Sequence, residues 1–246
     1  MTKFWSDHAY EFYKRACDHG NYPEVPFCPM LRKLISPNDV VADIGCGFGI
    51  TSLYLAKLCR QVLAIDQDPY ALKMLREQIE LQKVRNIQTL QGTWPNLTCE
   101  DWDIAIGIYH HHFANDAEKV NQLIAKTRKG GLICTQGTKE RESFHLAVAK
   151  KLELPEEKHL HCSNGCYVRG RLEQAGLKVQ CTMVAHDFDQ PVTDQAEAVR
   201  FILDQMKLDD QHYETIANSI DEYTKNHNGT LLVPIRRYNC VLIFEK

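Results

Sequence analysis

No stretch of the 246-residue chain approaches the run of about 20 apolar residues that a membrane-crossing helix needs. Its first residues, Met1 to Tyr10, carry charges and lack the apolar core of a signal peptide. A cytoplasmic protein with no membrane partner is therefore expected. An excess of positive charge is missing too: 29 Lys and Arg stand against 32 Asp and Glu. That balance supplies no long-range field for a polyanion, so no nucleic-acid partner is expected and a small or neutral one is favoured. Also absent are internal repeats, low-complexity tracts and any Pro/Ser/Gly-rich linker, so residues 1–246 read as a single domain, the common state of an α/β chain of roughly 250 residues. Cysteine is not scarce: the ten present are scattered rather than crowded into a small framework, and they read as reduced thiols.

What the chain does hold is an alternation of strand and helix signals. Val40–Ile44, Gln61–Ile65, Ile87–Gln91, Ile104–Ile108 and Leu132–Gln136 are short apolar or β-prone runs, as expected of parallel strands buried on both faces. Between them, Ile50–Cys59, Tyr70–Gln82 and Ala117–Arg128 carry helical patterns, the last stopped by Gly130-Gly131. The spacing implies a doubly wound α/β sheet with right-handed crossovers. Further helices are expected at about Glu142–Leu152 and Gly165–Ala175, then a sixth strand at Lys178–Ala185. Two helical segments, about Asp194–Met206 and Asp210–Asn226, form an insertion before a final strand at Tyr238–Phe244. Only two residues follow that strand, so it suits an antiparallel place in a mainly parallel, seven-stranded sheet. At the other end, Phe4–Arg15 reads as an amphipathic helix in which Phe4, Trp5, Tyr10, Phe12 and Tyr13 crowd together. Core packing explains that aromatic excess better than a substrate lid does.

The strongest local signal is Val41-Ala42-Asp43-Ile44-Gly45-Cys46-Gly47-Phe48-Gly49, an apolar strand running into alternating glycines and then a helix. Glycine leaves backbone N–H groups open to a ligand, and the helix N-terminus favours a polar or anionic end. A second acid, Asp66, ends the next strand, where a carboxylate can accept both hydroxyls of a ribose. Asp68 precedes Pro69 and a helix, and reads as its N-cap.

The Asp-x-Gly-x-Gly-x-Gly turn from Asp43 to Gly49, with Asp66 downstream, resembles the class I S-adenosylmethionine (SAM)-dependent methyltransferases. The dinucleotide fingerprint Gly-x-Gly-x-x-Gly differs, because here the third glycine comes one residue sooner. The likeness covers about Pro37 to Gln136 and implies SAM as cofactor and methyl transfer as the reaction. It places Gly45, Cys46, Gly47 and Gly49 against the methionine portion, Asp43 near its ammonium and Asp66 at the ribose, with Gln67 a further cofactor-binding residue. Where this family often has an acid after the third strand, the chain reads Gly92-Thr93-Trp94-Pro95. Thr93 is then a weaker polar contact for adenine and Trp94 an apolar wall, unless Trp94 belongs to the core. The single domain divides into an N-terminal helical segment or lid (1–36), a SAM-binding core (37–136), acceptor-side elements with the insertion (137–237) and the last strand (238–246).

After the fourth strand comes Gly107-Ile108-Tyr109-His110-His111-His112-Phe113, where open α/β sheets bind ligands. Ile108 is expected to line the cofactor site. Tyr109, His110 and His111 are the candidate catalytic groups, an imidazole serving as base if the acceptor needs one. Adjacent histidines point in different directions, so these do not make a metal site. His159, His161, Cys162 and Cys166 offer ligand types for a soft metal but lack a second pair nearby, so a loop and helix start is expected and no metal is assigned. The resulting expectation is a SAM-dependent methyltransferase acting on a small-molecule acceptor, with a protein acceptor as the alternative. An NAD(P)-dependent oxidoreductase and a non-catalytic SAM-binding protein rank below these.

Overall fold

The apolar runs form one sheet in the computed structural model, which describes residues 7–96, 99–109, 116–136, 144–154 and 162–246. Strands β1 (Val40–Ile44), β2 (Gln61–Asp66), β3 (Ile87–Gln91), β4 (Trp102–Ile108) and β5 (Thr127–Gln136) are joined by β6 (Lys178–Asp187) and β10 (Arg236–Glu245) in the order β3-β2-β1-β4-β5-β10-β6. Within this sheet only β10 runs antiparallel to its neighbours, the orientation expected for the last strand. The topology is that of an α/β methyltransferase fold, and the order reverses beside β1, the switch point where such sheets open a crevice.

Alternation along the strands fills two cores on opposite faces. Val41, Val62, Ala64, Ile104, Ile106 and Leu132 meet α2 (Glu24–Leu34), α3 (Ile50–Leu55) and α4 (Pro69–Leu81) on one face. Val40, Ala42, Leu63, Ile65, Ala105 and Ile133 meet α5 (Ala117–Lys126) and α7 (Cys162–Gln174) on the other. Between β5 and α7 lies α6 (Phe144–Lys151).

Two expectations about local structure are corrected. Gly130-Gly131 does not stop a helix: α5 ends at Lys126, and both glycines lie inside β5, paired with β4 and β10. They are needed for close packing, since a Cβ at Gly130 would stand 2.3 Å from the Phe244 carbonyl oxygen and one at Gly131 2.4 Å from that of Ala105. The second insertion helix is also not continuous. After α8 (Gln195–Met206), the chain makes a short 3-10 turn, α9 (Tyr213–Ala217) and α10 (Ile220–Tyr223). It then turns back as a hairpin of β8 (Lys225–His227) and β9 (Thr230–Val233), which pairs with β7 (Gln190–Val192). The hairpin turns on Asn228-Gly229, both left-handed at φ 50° and 83°, which is the residue pair a two-residue turn prefers.

The insertion has its own apolar core, which includes Phe201, Ile202, Ile216 and Val233 and reaches Phe12 of α1 (Asp7–Gly20). Arg15 of α1 donates to both carboxylate oxygens of Glu197 on α8, at 3.0 and 2.7 Å. Thr193 N donates to the same carboxylate at 2.6 Å. The Arg15 hydrogen bonds are the main cause that holds the Glu197 carboxyl down to about 2. Because its folded value is depressed, the stabilisation is present above the ordinary glutamate range and is lost as pH falls toward about 2. Glu197→Gln is expected to lower the unfolding free energy by about 2 kcal/mol at neutral pH, a discounted figure for a partly exposed pair. Urea titrations at falling pH should show the difference shrinking; a constant difference would mean that the pair is not its source.

Candidate functional site

The glycine turn leaves β1 in a backbone shape that side chains resist. Gly45, Gly47 and Gly49 have φ of 72°, 53° and 74°, the left-handed region where glycine is at ease. Gly49 is doubly constrained, because a Cβ there would stand 2.2 Å from Cδ1 of Leu75 on α4. The turn's amides are not bare, contrary to the reason given for the glycines from sequence. Gly45 N and Cys46 N donate to the Ile65 carbonyl at 2.8 and 3.0 Å, and Gly49 N to that of Cys46 at 2.9 Å. Gly47 N donates to Asp66 Oδ2 at 2.8 Å. The glycines thus supply conformation, and the internal hydrogen bonds supply rigidity.

Two acids flank this turn in different environments. Asp43 is buried, and Oγ of buried Ser52 donates to its Oδ2 at 2.6 Å. Burial is the chief cause that raises its carboxyl to about 7; the Ser52 bond opposes the rise and the Asp66 charge adds to it. Asp66 is half-buried, its Oδ1 accepting from Asp68 N at 2.9 Å. Each of its oxygens therefore holds the backbone through one hydrogen bond and keeps capacity for another. Asp68 caps α4 as its sequence context implies, accepting from Tyr70 N at 2.8 Å.

The remaining sequence candidates separate. Gln67 and Thr93 are exposed and adjacent, Thr93 Oγ1 lying 3.3 Å from Gln67 Oε1. Ile108 is half-buried at the end of β4 against the same core as Cys46. Trp94 is corrected from cofactor wall to core: it is 3% exposed, its ring 5.3 Å from that of Trp102, so it presents no face to a ligand. Tyr109 has φ 57°, and its hydroxyl donates to Asn239 Oδ1 at 2.6 Å. Burial drives its pKa well up, so it is a neutral phenol committed to another acceptor rather than a base. His110, His111, His112 and Phe113 lie outside the described residues, as do Phe4, Trp5, His159 and His161. Cys166 is an exposed residue of α7, which Cys162 begins. Among the described residues no group of three His, Cys, Asp or Glu could hold a metal, and no helix is long and apolar enough to cross a membrane.

Sequence reasoning missed several neighbours. Asn239 Nδ2 lies 3.1 Å from His186 Nδ1, which makes a buried chain of Tyr109, Asn239 and His186. The Arg237 guanidinium sits 3.4 Å over the Phe188 ring and 5.4 Å over that of Tyr109. From α1, Tyr10 packs its ring 4.8 Å from Phe48 of the turn and Tyr13 lies 6.1 Å from the same ring. The β10–β6 register sets His186 beside Arg237 and Asn239, and the β4–β5 and β5–β10 registers bring Tyr109 to Asn239.

Residues 41–131 match the family model described as a methyltransferase domain. A ribosomal protein L11 methyltransferase of Herpetosiphon aurantiacus is 33% identical over 151 residues, which cover 52% of this chain and 47% of that protein. One of Acetivibrio thermocellus is 34% identical over 89 residues, 35% of this chain and 28% of its own. The chain thus spans about half or less of the length of these relatives. In fold it is similar to the YcgJ protein of Bacillus subtilis, with TM-score 0.58 at 16% identity over 89% of this chain and 97% of the other. A SAM-dependent methyltransferase of Aquifex aeolicus gives TM-score 0.50 at 14% identity, over 92% and 97% of the two chains.

Proposed function

We propose that the chain, whose residues 41–131 match a methyltransferase domain, is a class I SAM-dependent methyltransferase that transfers a methyl group from SAM to a protein acceptor. This corrects the small-molecule acceptor expected from the charge balance, because the relatives sharing about a third of their aligned residues are named for a protein substrate. A net charge of -3 argues against a polyanion and does not separate a metabolite from a peptide segment.

The observation that carries the reading is the turn itself: three left-handed glycines between a buried acid and a half-buried one, locked by the Gly47–Asp66 hydrogen bond. These residues fit SAM, since the backbone passes close without side chains and the two carboxylates suit a cationic amino group and a ribose diol. When bound, SAM supplies an electrophilic methyl on a sulfonium. Asp66 would take the ribose hydroxyls on its remaining acceptor capacity, and Asp43 would offset the ammonium. Tyr109, fixed by Asn239, would shape the wall where the acceptor approaches. His110 or His111, next in the chain, would serve as the base where the acceptor needs one. Rate acceleration then rests on holding the acceptor in line and excluding water.

Methyl-labelled SAM incubated with protein and metabolite fractions of one extract should label the protein fraction. Label confined to metabolites would reject the protein acceptor, and no label in either would reject methyl transfer.

Asp43 adds a pH dependence. Its raised carboxyl means that protein stability falls as pH rises from the ordinary aspartate range through about 7. A cation beside it would pull the value down, so binding would release a proton. SAM affinity is expected to rise about tenfold from about pH 6 to about pH 8, and the slope should vanish in Asp43→Asn. Calorimetry in buffers of different ionisation enthalpy measures the released proton; none released would separate Asp43 from the ammonium.

A further inference from the structure

Arg237 is a half-buried cation with no ion-pair partner among the described residues. The acids on either side of Phe188 are engaged elsewhere: Asp187 with Arg236 at 2.6 Å, and Asp189 with Lys225 at 2.5 Å and Ile235 N at 2.9 Å. The titratable groups that feel Arg237 are Tyr13, Cys17, Tyr22, Tyr109, Cys134 and His186. Burial keeps each of them neutral, with the tyrosines and thiols pushed up, Cys17 to about 12, and His186 pushed down to about 4. Nothing among them offsets the guanidinium.

Its surroundings are also fixed. Asn239 is fully buried and uses Oδ1 to accept from Tyr109. Its Nδ2 therefore donates to His186 Nδ1, which leaves the proton on His186 Nε2, a buried atom with no partner among the described residues. Phe188 lies under the guanidinium, and Tyr13 spans from Phe188, 5.9 Å between rings, to Phe48 of the glycine turn. A partly desolvated guanidinium held flat on an aromatic ring still presents its N–H edge, which matches a carboxylate in shape and charge.

We propose that the Arg237 guanidinium, framed by Tyr109 and Tyr13 whose hydroxyls are engaged with Asn239 and Cys17, is a carboxylate-binding subsite of the methyl-transfer crevice. The occupant is either the carboxylate of the cofactor's amino-acid end or one carried by the acceptor. The crevice assignment rests on the function proposed above; the anion site itself rests on Arg237 and its neighbours.

Two measurements test it. The Nε–Hε NMR signal of Arg237, assigned by its loss in Arg237→Lys, is followed while N-acetylglycine and then N-acetylglycinamide are added to the wild-type protein. A shift with the carboxylate and none with the amide is expected, and an equal response or no response overturns the subsite. In parallel, S-adenosylhomocysteine and 5′-methylthioadenosine, which lacks the amino-acid end, are titrated into wild type and Arg237→Gln. Loss of roughly tenfold or more for the first ligand alone assigns the subsite to the cofactor, as removal of a charged hydrogen bond predicts. Unchanged affinity for both, with the N-acetylglycine shift persisting in protein saturated with S-adenosylhomocysteine, assigns it to the acceptor. If Arg237→Gln does not fold, the NMR result on the wild-type protein still decides. If S-adenosylhomocysteine fails to bind wild type, the methyl-transfer reading falls while the N-acetylglycine titration judges the anion site separately.

Discussion

Replacing Asp66 with alanine is expected to weaken SAM binding by about a hundredfold, because the side chain does two things at once. Its Oδ2 holds Gly47 N and its Oδ1 holds Asp68 N, so it pins the glycine turn to the end of β2. In the proposed complex the same oxygens accept the ribose hydroxyls. A hydrogen bond to a charged group contributes about 1.5–3 kcal/mol, so losing the diol contact and the turn's anchor together corresponds to roughly two decades of affinity. Asp66→Asn keeps one acceptor oxygen and should fall between. Calorimetry on both variants separates the roles: if Asp66→Ala binds SAM as wild type does, the ribose assignment is wrong. If the alanine and asparagine variants lose equally, the charge matters and the anchor does not.

Gly49→Ala should be the most damaging single methyl in the turn. The added carbon would stand 2.2 to 2.8 Å from three side-chain atoms of Leu75, which is fully buried and cannot swing into solvent. It also forces alanine to φ 74°. The left-handed conformation costs about 1–2 kcal/mol for a non-glycine residue, and overpacking about 1–3 kcal/mol more. A loss of about 2–5 kcal/mol should appear in urea unfolding, with weaker SAM binding in whatever remains folded. Wild-type stability would mean that α4 gives way easily and that the glycine is not required by packing.

Much of this was legible in the sequence where one physical demand fixes one residue type. The buried parallel strands β1 and β4 read as apolar runs, whereas β3, expected to be buried on both faces, is an edge strand with no fully buried residue; the turn after β1 requires glycines between acids. Asp68 before Pro69 could hardly be anything but a cap. Legibility failed where a residue type serves two ends. Gly130-Gly131 looks the same as a helix stop and as a tight strand crossing, and tryptophan suits an adenine wall as well as a core. The stretch from Asp210 to Asn226 reads as one helix, while the hairpin that ends it turns on Asn228-Gly229 just beyond that range. His186, Arg237 and Asn239 left no local mark. Their meeting with Tyr109 depends on which residues of β4, β5, β10 and β6 face one another, a matter of register between segments far apart in the chain.

Helix α1 packs against the glycine turn and the insertion at once. One edge puts Tyr10 and Tyr13 on Phe48, and another puts Phe12 and Arg15 on the insertion. A rod fastened at both sides carries a disturbance from one to the other. Damage to the packing around Phe201 would therefore surface as poorer grip on a nucleoside that Phe201 never touches.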